Sequence, residues 1–138
     1  MSNLKIYIAG SLFNEAEIAQ RKLEGEVLEA NTNYTVFNPI TAPYNENKSE
    51  LPTAEEIYHG DTVELLSSDV VLVDLTNTLD AGVSAELGMV FAYNEIASRK
   101  IESFQPGVST PRPIEIVAVL SDIRLSTAAK YKIPSYSI

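Results

Sequence analysis

The sequence predicts an α/β fold: a three-layer sandwich with a central parallel sheet, in the flavodoxin-like or Rossmann-like order of elements. Short apolar runs that suit buried strands alternate along the chain with longer segments of helical periodicity. Parallel strands need a crossover connection, usually a helix, so this alternation is typical of βαβ units with helices on both faces of the sheet. The 138 residues suffice for one such domain and are too few for two. We therefore expect a single domain over residues 1–138.

The first half of the chain contains the first two predicted strands. The apolar run Leu4–Ala9 ends at Gly10 and predicts a central strand that leaves through a tight turn. Tyr34–Phe37 is predicted as a short second strand, followed by a long Pro- and Asn-rich loop over 38–52. Between the strands a helix is predicted from Asn14, with a sheet-facing stripe of apolar residues at three- and four-residue spacing: Ala16, Ala19, Leu23, Val27 and Ala30.

The second half repeats the alternation. Thr53 and Glu56 have the spacing of a capping box, which predicts a helix from there to about Ser67. The apolar run Val70–Asp74 predicts the third strand. The remaining predicted elements are a helix from about Val83 to Ser98, a surface loop over 105–113 and a fourth strand over Ile114–Leu120.

The composition narrows the class of protein. No apolar stretch approaches the ~20 residues of a membrane span, and no secretory signal opens the chain, so we expect a cytoplasmic protein. The absence of cysteine excludes disulfides, thiolate catalysis and cysteine-based metal sites, and the single histidine argues against a histidine-centred triad. A formal net charge of -9 argues against general nucleic-acid binding, which needs clustered Lys and Arg.

Acidic residues gather where open α/β sheets build their binding crevices, beyond the carboxyl ends of strands. Asp74 ends the third predicted strand, Asp80 lies in the loop behind it, and Glu86 lies in the first or second turn of the next helix. Unpaired backbone N–H groups and the helix dipole favour an anion there, so we expect Glu86 to stay ionised at neutral pH. Gly82 would let a ligand approach the backbone, and Ser84 would cap the helix.

Two further residues are candidates because of their positions. Asp61 shares a helical stripe with Ile57 and Leu65, where an ionised carboxylate needs a partner or the edge of a pocket. Tyr7 lies on the first strand, where its hydroxyl could donate to a carboxylate. Asp61, Tyr7 and Glu86 each have a purely structural alternative. Asp61 could lie at the boundary of a stripe that drifts around its helix, Tyr7 could be a core aromatic residue, and Glu86 could be a surface acid that complements the helix dipole.

Two other kinds of site have weaker support. Asp74, Asp80 and Glu86 could hold Mg²⁺ through carboxylate oxygens, but the chain has no phosphate-binding glycine loop to present a phosphorylated substrate, so we expect no metal. A phosphorylatable receiver domain would use Asp74 as its acceptor. That arrangement needs further acids after the first strand, and the turn that follows Ala9 supplies none.

Three blocks of the sequence resemble the nucleoside 2-deoxyribosyltransferase family, in the family's order and spacing, over about residues 4–93. The third block is the most specific of them, and a later segment, Ser121-Asp122-Ile123-Arg124, also resembles bacterial members. The blocks are Lys5-Ile6-Tyr7-Ile8-Ala9-Gly10-Ser11-Leu12-Phe13, then Asp61 eight residues ahead of Asp69, then Asp80-x-Gly-x-x-x-Glu86-Leu87-Gly88.

The resemblance implies an enzyme that exchanges the base of a 2′-deoxynucleoside for another free base, by double displacement with retention at C1′ and without a cofactor. By matched position, Glu86 would be the nucleophile, Tyr7 would orient its carboxylate, and Asp61 would donate a proton to the leaving base. The substrate-binding positions would be Asp80 for a sugar hydroxyl, together with Gly10, Phe13 and Gly82. The partners would be nucleosides, nucleobases and further copies of the chain, in a hexamer or a dimer-based assembly.

The residues agree with that chemistry and leave alternatives open. An anion held by a helix N-terminus suits attack at an oxocarbenium-like centre, as in retaining glycosidases. A second, protonatable carboxyl group on an apolar stripe suits protonation of the leaving base. A related N-glycosidase would use water as the acceptor; a nucleotide substrate would need basic contacts, for which the candidates are Arg124, Lys130 and Lys132. A receiver-like or nucleoside-sensing module is the non-enzymatic alternative. Family members usually continue past the equivalent of Ile138 into an Asn-bearing segment that reaches a neighbouring subunit's site. The sequence stops before that segment, so either the chain is truncated or disordered there or the site is completed differently.

Overall fold

A four-stranded parallel sheet carries the fold in a computed structural model of the chain. The structure describes residues 3–42, 52–76, 80–102 and 112–119. Its strand order is β2-β1-β3-β4, which confirms the predicted α/β fold with a parallel sheet. The elements are β1 (Leu4–Ala9), α1 (Glu15–Glu29), β2 (Tyr34–Phe37), a 3-10 helix (Pro39–Thr41), α2 (Ala54–Leu66), β3 (Val70–Asp74), α3 (Ala81–Glu102) and β4 (Glu115–Val119).

The sheet order creates a switch point beside β1. The chain passes from β1 to β2 on one side and later returns to β3 on the other side of β1. Right-handed crossovers then put α1 on one face of the sheet and α2 and α3 on the other. The main core lies on the second face and comprises Tyr7, Ala9, Leu65, Val71, Val73, Val83, Val90 and Ile114. In open α/β sheets, ligands bind beyond the carboxyl ends of the strands at such a switch point.

The predicted strands and the predicted capping box are present. β1, β2 and β3 have the predicted bounds. At the start of α2, Thr53 N–H donates to Glu56 Oε2 at 2.8 Å, and Glu56 N–H donates to Thr53 Oγ1 at 3.1 Å. The loop predicted after β2 contains the 3-10 helix, which Asn38 caps by accepting from Ile40 N–H at 3.3 Å. Most of the predicted loop 105–113, Leu120, the segment 121–124, Lys130 and Lys132 lie outside the described residues.

The predicted inward face of α1 is wrong. Leu23 is 53% exposed and Val27 is 64% exposed, and the alanines predicted beside them are exposed as well. The buried positions of this helix are instead Arg21 and Gly25. A charged residue can occupy an inward face when it is ion-paired, so apolar periodicity alone picked the wrong side. None of the helices in the described ranges combines the length and apolar character that crossing a bilayer requires.

Candidate active site

A cavity of about 130 Å³ lies at the switch point, beyond the carboxyl end of β1. Its walls come from the turn after β1, the 3-10 helix, α2 and the start of α3. Three of the nine lining residues carry carboxyl groups, so the cavity suits an uncharged or cationic ligand better than an anion. The lining residues are Ala9, Gly10, Leu12, Pro39, Asp61, Asp80, Gly82, Val83 and Glu86.

Tyr7 and Glu86 are joined by a hydrogen bond at this cavity. Tyr7 Oη donates to Glu86 Oε1 at 2.8 Å. Tyr7 is fully buried in β1, and its ring stacks on that of Phe37 in β2, with centroids 5.2 Å apart and an interplanar angle of 20°. Because the ring is held between core elements, the hydroxyl has a fixed position and restricts the orientation of the Glu86 carboxyl group.

The protonation of Glu86 differs from the prediction. α3 begins at Ala81, so Glu86 lies in its second turn, beyond the first-turn N–H groups that would stabilise an anion. Burial raises the pKa of Glu86 from 4.5 to about 7; the Tyr7 hydrogen bond lowers it, and the charges of Asp61 and Asp80 raise it further. The prediction that Glu86 stays ionised at neutral pH is therefore wrong, because neutral and ionised forms are similarly populated near pH 7.

Asp80 is the residue that begins α3. Its Oδ1 accepts from Val83 N–H at 2.9 Å and its carbonyl accepts from Ser84 N–H at 3.1 Å, which is the bonding pattern of an N-cap. The predicted start of this helix at about Val83 was therefore two residues late. Ser84 is not the cap: it lies inside the helix, and its hydroxyl donates to the Asp80 carbonyl at 3.0 Å.

Asp61 reaches the cavity from α2. It lies on the predicted stripe with Ile57, which is half-buried, and Leu65, which is fully buried. Its negative charge contributes to the raised pKa of Glu86, so the two carboxyl groups interact across the cavity. No group of three or more His, Asp or Glu side chains within the described ranges is arranged to hold a metal ion.

The predicted substrate-binding positions divide into two groups. Gly10 and Gly82 line the cavity, whereas Phe13 does not. Phe13 is 79% exposed and lies two residues before α1, where its N–H donates to Glu17 Oε2 at 2.8 Å. Leu12 and Pro39 also line the cavity, although the sequence analysis gave them no role. Neither side chain carries a functional group, so its chemistry could not identify it, and the one available signal was the place of Leu12 in the first block of the family resemblance.

Sequence reasoning also missed Arg21, which binds the end of β3. Its Nη2 donates to Asp74 Oδ2, while Asp74 Oδ1 accepts from Thr76 N–H at 2.9 Å. Burial raises the pKa of Asp74, but hydrogen bonds from Thr76 and Arg21 outweigh it, and the net pKa lies below the usual 3.8. Since both oxygens of Asp74 accept hydrogen bonds, a phospho-acceptor role for it loses support.

Comparisons with known proteins agree with this architecture. A family model described as nucleoside 2-deoxyribosyltransferase matches residues 6–109, which is well over half of the chain. A crystal structure of a conserved protein from Enterococcus faecalis V583 resembles the fold with a TM-score of 0.61 at 22% identity, covering 97% of this chain and 78% of that one. At that identity the likeness is evidence for the fold alone.

A sequence relative is also found. An uncharacterized protein of Ureaplasma parvum serovar 3 is 30% identical over 96 residues. The matched region is 64% of this chain and 60% of that protein, so the chain spans less than two thirds of the length of this relative.

Proposed function

The chain belongs to the nucleoside 2-deoxyribosyltransferase family, and on that premise we propose that it transfers a 2-deoxyribosyl group from one nucleobase to another. The reaction is a double displacement through a covalent deoxyribosyl-enzyme intermediate, with retention at C1′. The observation that carries the proposal is the 2.8 Å hydrogen bond from the buried Tyr7 hydroxyl to Glu86, in a cavity that Asp61 and Asp80 also line.

Each displacement exchanges one bond at C1′ for another. In the first, an oxygen of ionised Glu86 bonds to C1′ while the bond from C1′ to the base nitrogen breaks. The leaving base takes its proton from Asp61 in the protonated form, in which Asp61 no longer repels the Glu86 carboxylate. In the second, a nitrogen of the acceptor base bonds to C1′, the ester bond to Glu86 breaks, and the proton lost by the acceptor returns to Asp61. Two inversions give net retention.

Tyr7 and Asp80 have supporting roles in this proposal. The Tyr7 hydroxyl donates a hydrogen bond to Glu86 Oε1, so in this proposal Oε2 is the oxygen that attacks C1′. Asp80 already accepts from Val83 N–H through Oδ1. A carboxylate offers about four acceptor sites, so Asp80 can accept from a sugar hydroxyl at the same time.

The charge of the cavity favours a nucleoside over a nucleotide as the substrate. Its described lining contains three carboxyl groups and no Lys or Arg, so a substrate phosphate would be repelled. Arg21, the buried cation nearby, is engaged by Asp74 and Glu24. The N-glycosidase alternative uses the same first displacement. It differs from base transfer only in the second displacement, where water and not a nucleobase is the acceptor.

Base exchange is the experiment that tests the proposal. Incubation with thymidine and adenine should yield deoxyadenosine and thymine, measured by liquid chromatography. Glu86→Ala should abolish the exchange, whereas Glu26→Ala, on the exposed face of α1, should not change it. Thymine release that is the same with and without adenine, and no deoxyadenosine, would establish a hydrolase instead. Unchanged thymidine in every reaction would reject both activities.

We also propose, from the family resemblance, that the protein is a cytoplasmic homo-oligomer. The exposed apolar side chains of Leu23 and Val27 on α1 and of Phe91 and Ile96 on α3 are consistent with contacts between copies. Light scattering of the purified protein should give a mass that is a multiple of 15.1 kDa. A mass of a single chain at micromolar concentration would reject the oligomer.

A further inference from the structure

Arg21 is the largest fully buried side chain in the described part of the protein, with 1% of its surface exposed. Its guanidinium is shared between two carboxylates from different elements. Nε lies 2.8 Å from Glu24 Oε2 and Nη2 donates to Glu24 Oε1 at 2.9 Å, while Nη2 also pairs with Asp74 at the end of β3. The arginine therefore links α1 to the carboxyl end of β3.

The same guanidinium rests on the backbone at Gly10. A Cβ atom at this position would overlap Arg21 Nη1 and Cζ, so only glycine allows the contact. Gly10 follows β1 directly and lines the cavity. Arg21, which is not among the residues that line the cavity, thus packs on one that is.

The backbone of Arg21 completes a third connection. Its carbonyl accepts from Asn38 Nδ2 at 2.8 Å, and Asn38 is buried. Asn38 in turn accepts from Ile40 N–H and precedes Pro39, another lining residue. One residue is therefore connected to the carboxyl ends of β1, β2 and β3, and the segments that follow β1 and β2 line the cavity.

Stability alone is a weak reason for this arrangement. Burying an arginine with two carboxylates costs desolvation energy, and apolar residues of similar volume often stabilise a protein as well or better. What the guanidinium does supply is a rigid planar fork that fixes several partners in one geometry.

We propose that Arg21 is a positioning residue for the cavity wall formed by Gly10 and Pro39, and through that wall for the bound nucleoside. The inference rests on the proposed function for its substrate. The side chain of Arg21 contacts Gly10, Glu24 and Asp74, none of which takes part in the proposed bond changes at C1′. Loss of its geometry should therefore weaken substrate binding more than it slows the chemical step.

Arg21→Lys keeps the charge and removes the planar fork. We expect KM for thymidine to rise at least tenfold with kcat within twofold of the wild type. Hydrogen exchange measured by NMR should be at least fivefold faster at the amide of Thr76, which bonds to Asp74. The amide of Ile40 should change less, because its link to residue 21 runs through Asn38 to a backbone carbonyl that lysine keeps. Lys22→Met, one residue away on the exposed face, is the matched control and should change neither quantity.

The outcomes separate the possible roles. An unchanged KM together with unchanged hydrogen exchange in Arg21→Lys would overturn the inference. Hydrogen exchange that is faster by the same factor at the core amides of Val71 and Val73 would also overturn it, because that result would indicate general destabilisation. If Arg21→Lys does not fold, the neutral variant Arg21→Met with Glu24→Gln and Asp74→Asn takes its place, with the same expected results. If the wild type does not exchange nucleobases, the proposed function fails. Hydrogen exchange at the amides of Ile40 and Thr76 then still decides the role of Arg21.

Discussion

Replacing Glu86 with glutamine should stabilise the protein at pH 8 and change its stability little at pH 5. In the folded state burial, helped by the charges of Asp61 and Asp80, raises the pKa of Glu86 from 4.5 to about 7. The folded protein therefore holds this proton more tightly than the unfolded chain does. Such a group favours folding fully below pH 4.5, and that contribution is lost as the pH rises through about 7.

The size of the effect follows from the two pKa values. One pKa unit corresponds to ~1.4 kcal/mol, so a rise from 4.5 to about 7 makes the ionised side chain about 3 kcal/mol less favourable in the folded protein. Glutamine carries no charge, and its amide oxygen can accept the Tyr7 hydrogen bond. We expect Glu86→Gln to raise the free energy of unfolding by about 3 kcal/mol at pH 8 and by less than about 1 kcal/mol at pH 5.

Urea denaturation followed by circular dichroism at the two pH values measures this difference. In thermal unfolding, about 3 kcal/mol corresponds to a rise in Tm of roughly 10 °C for a domain of this size. Glu26→Gln, at an exposed position of α1, is the control and should have the same small effect at both pH values. Equal stabilisation by Glu86→Gln at pH 5 and pH 8, or none at pH 8, would refute the reasoning.

Three further predictions concern the site and its scaffold. The kcat/KM of base exchange should rise with pH through about 7 as Glu86 ionises. Tyr7→Phe should move that rise to higher pH, because it removes a hydrogen bond that lowers the pKa of Glu86. The same pH dependence in Tyr7→Phe and the wild type would contradict this prediction. Gly88→Ala should raise the free energy of unfolding by ~1 kcal/mol, since alanine is the better helix former and a Cβ meets no atom within 4 Å there; urea denaturation checks it, and a loss of stability would show that another surface packs on Gly88. Thr53→Ala should cost ~1 kcal/mol by the same measurement, through loss of the cap of α2, with base exchange unchanged.

The first three strands and the cap of α2 could be predicted because their signals are local. Val70–Asp74 is a continuous apolar run that fits a strand buried on both faces, and the structure has a strand with those bounds. Thr53 and Glu56 are three residues apart and bond to each other's backbone, so their spacing alone specifies the cap. The grouping of Tyr7, Asp61, Asp80 and Glu86 was implied by the family resemblance. Parallel topology brings the carboxyl ends of β1 and β3 to one edge, but it does not place Asp61, which lies on α2.

Other features depend on tertiary contacts that local patterns do not contain. The inward side of α1 is set by Arg21, whose partner Asp74 is 53 positions away along the chain. The protonation of Glu86 depends on its burial and on the charges of two acids from other segments, whereas the sequence suggested only the helix dipole. In both cases a charge is governed by a distant partner, and helical periodicity carries no information about that partner.

The three carboxyl groups of the cavity have opposite effects on the resting protein and on the proposed reaction. In the resting state the charges of Asp61 and Asp80 disfavour ionised Glu86, which is one reason that its pKa is raised. In the transition state positive charge develops at C1′, and a nearby carboxylate then stabilises it. As the ester forms, the charge on Glu86 disappears, so its repulsion by Asp80 is relieved while the sugar is being transferred. Formation of the ester thus removes the charge that destabilises the folded protein. Glu86→Gln removes the same charge permanently, so this variant should be more stable at pH 8 and should not transfer the deoxyribosyl group.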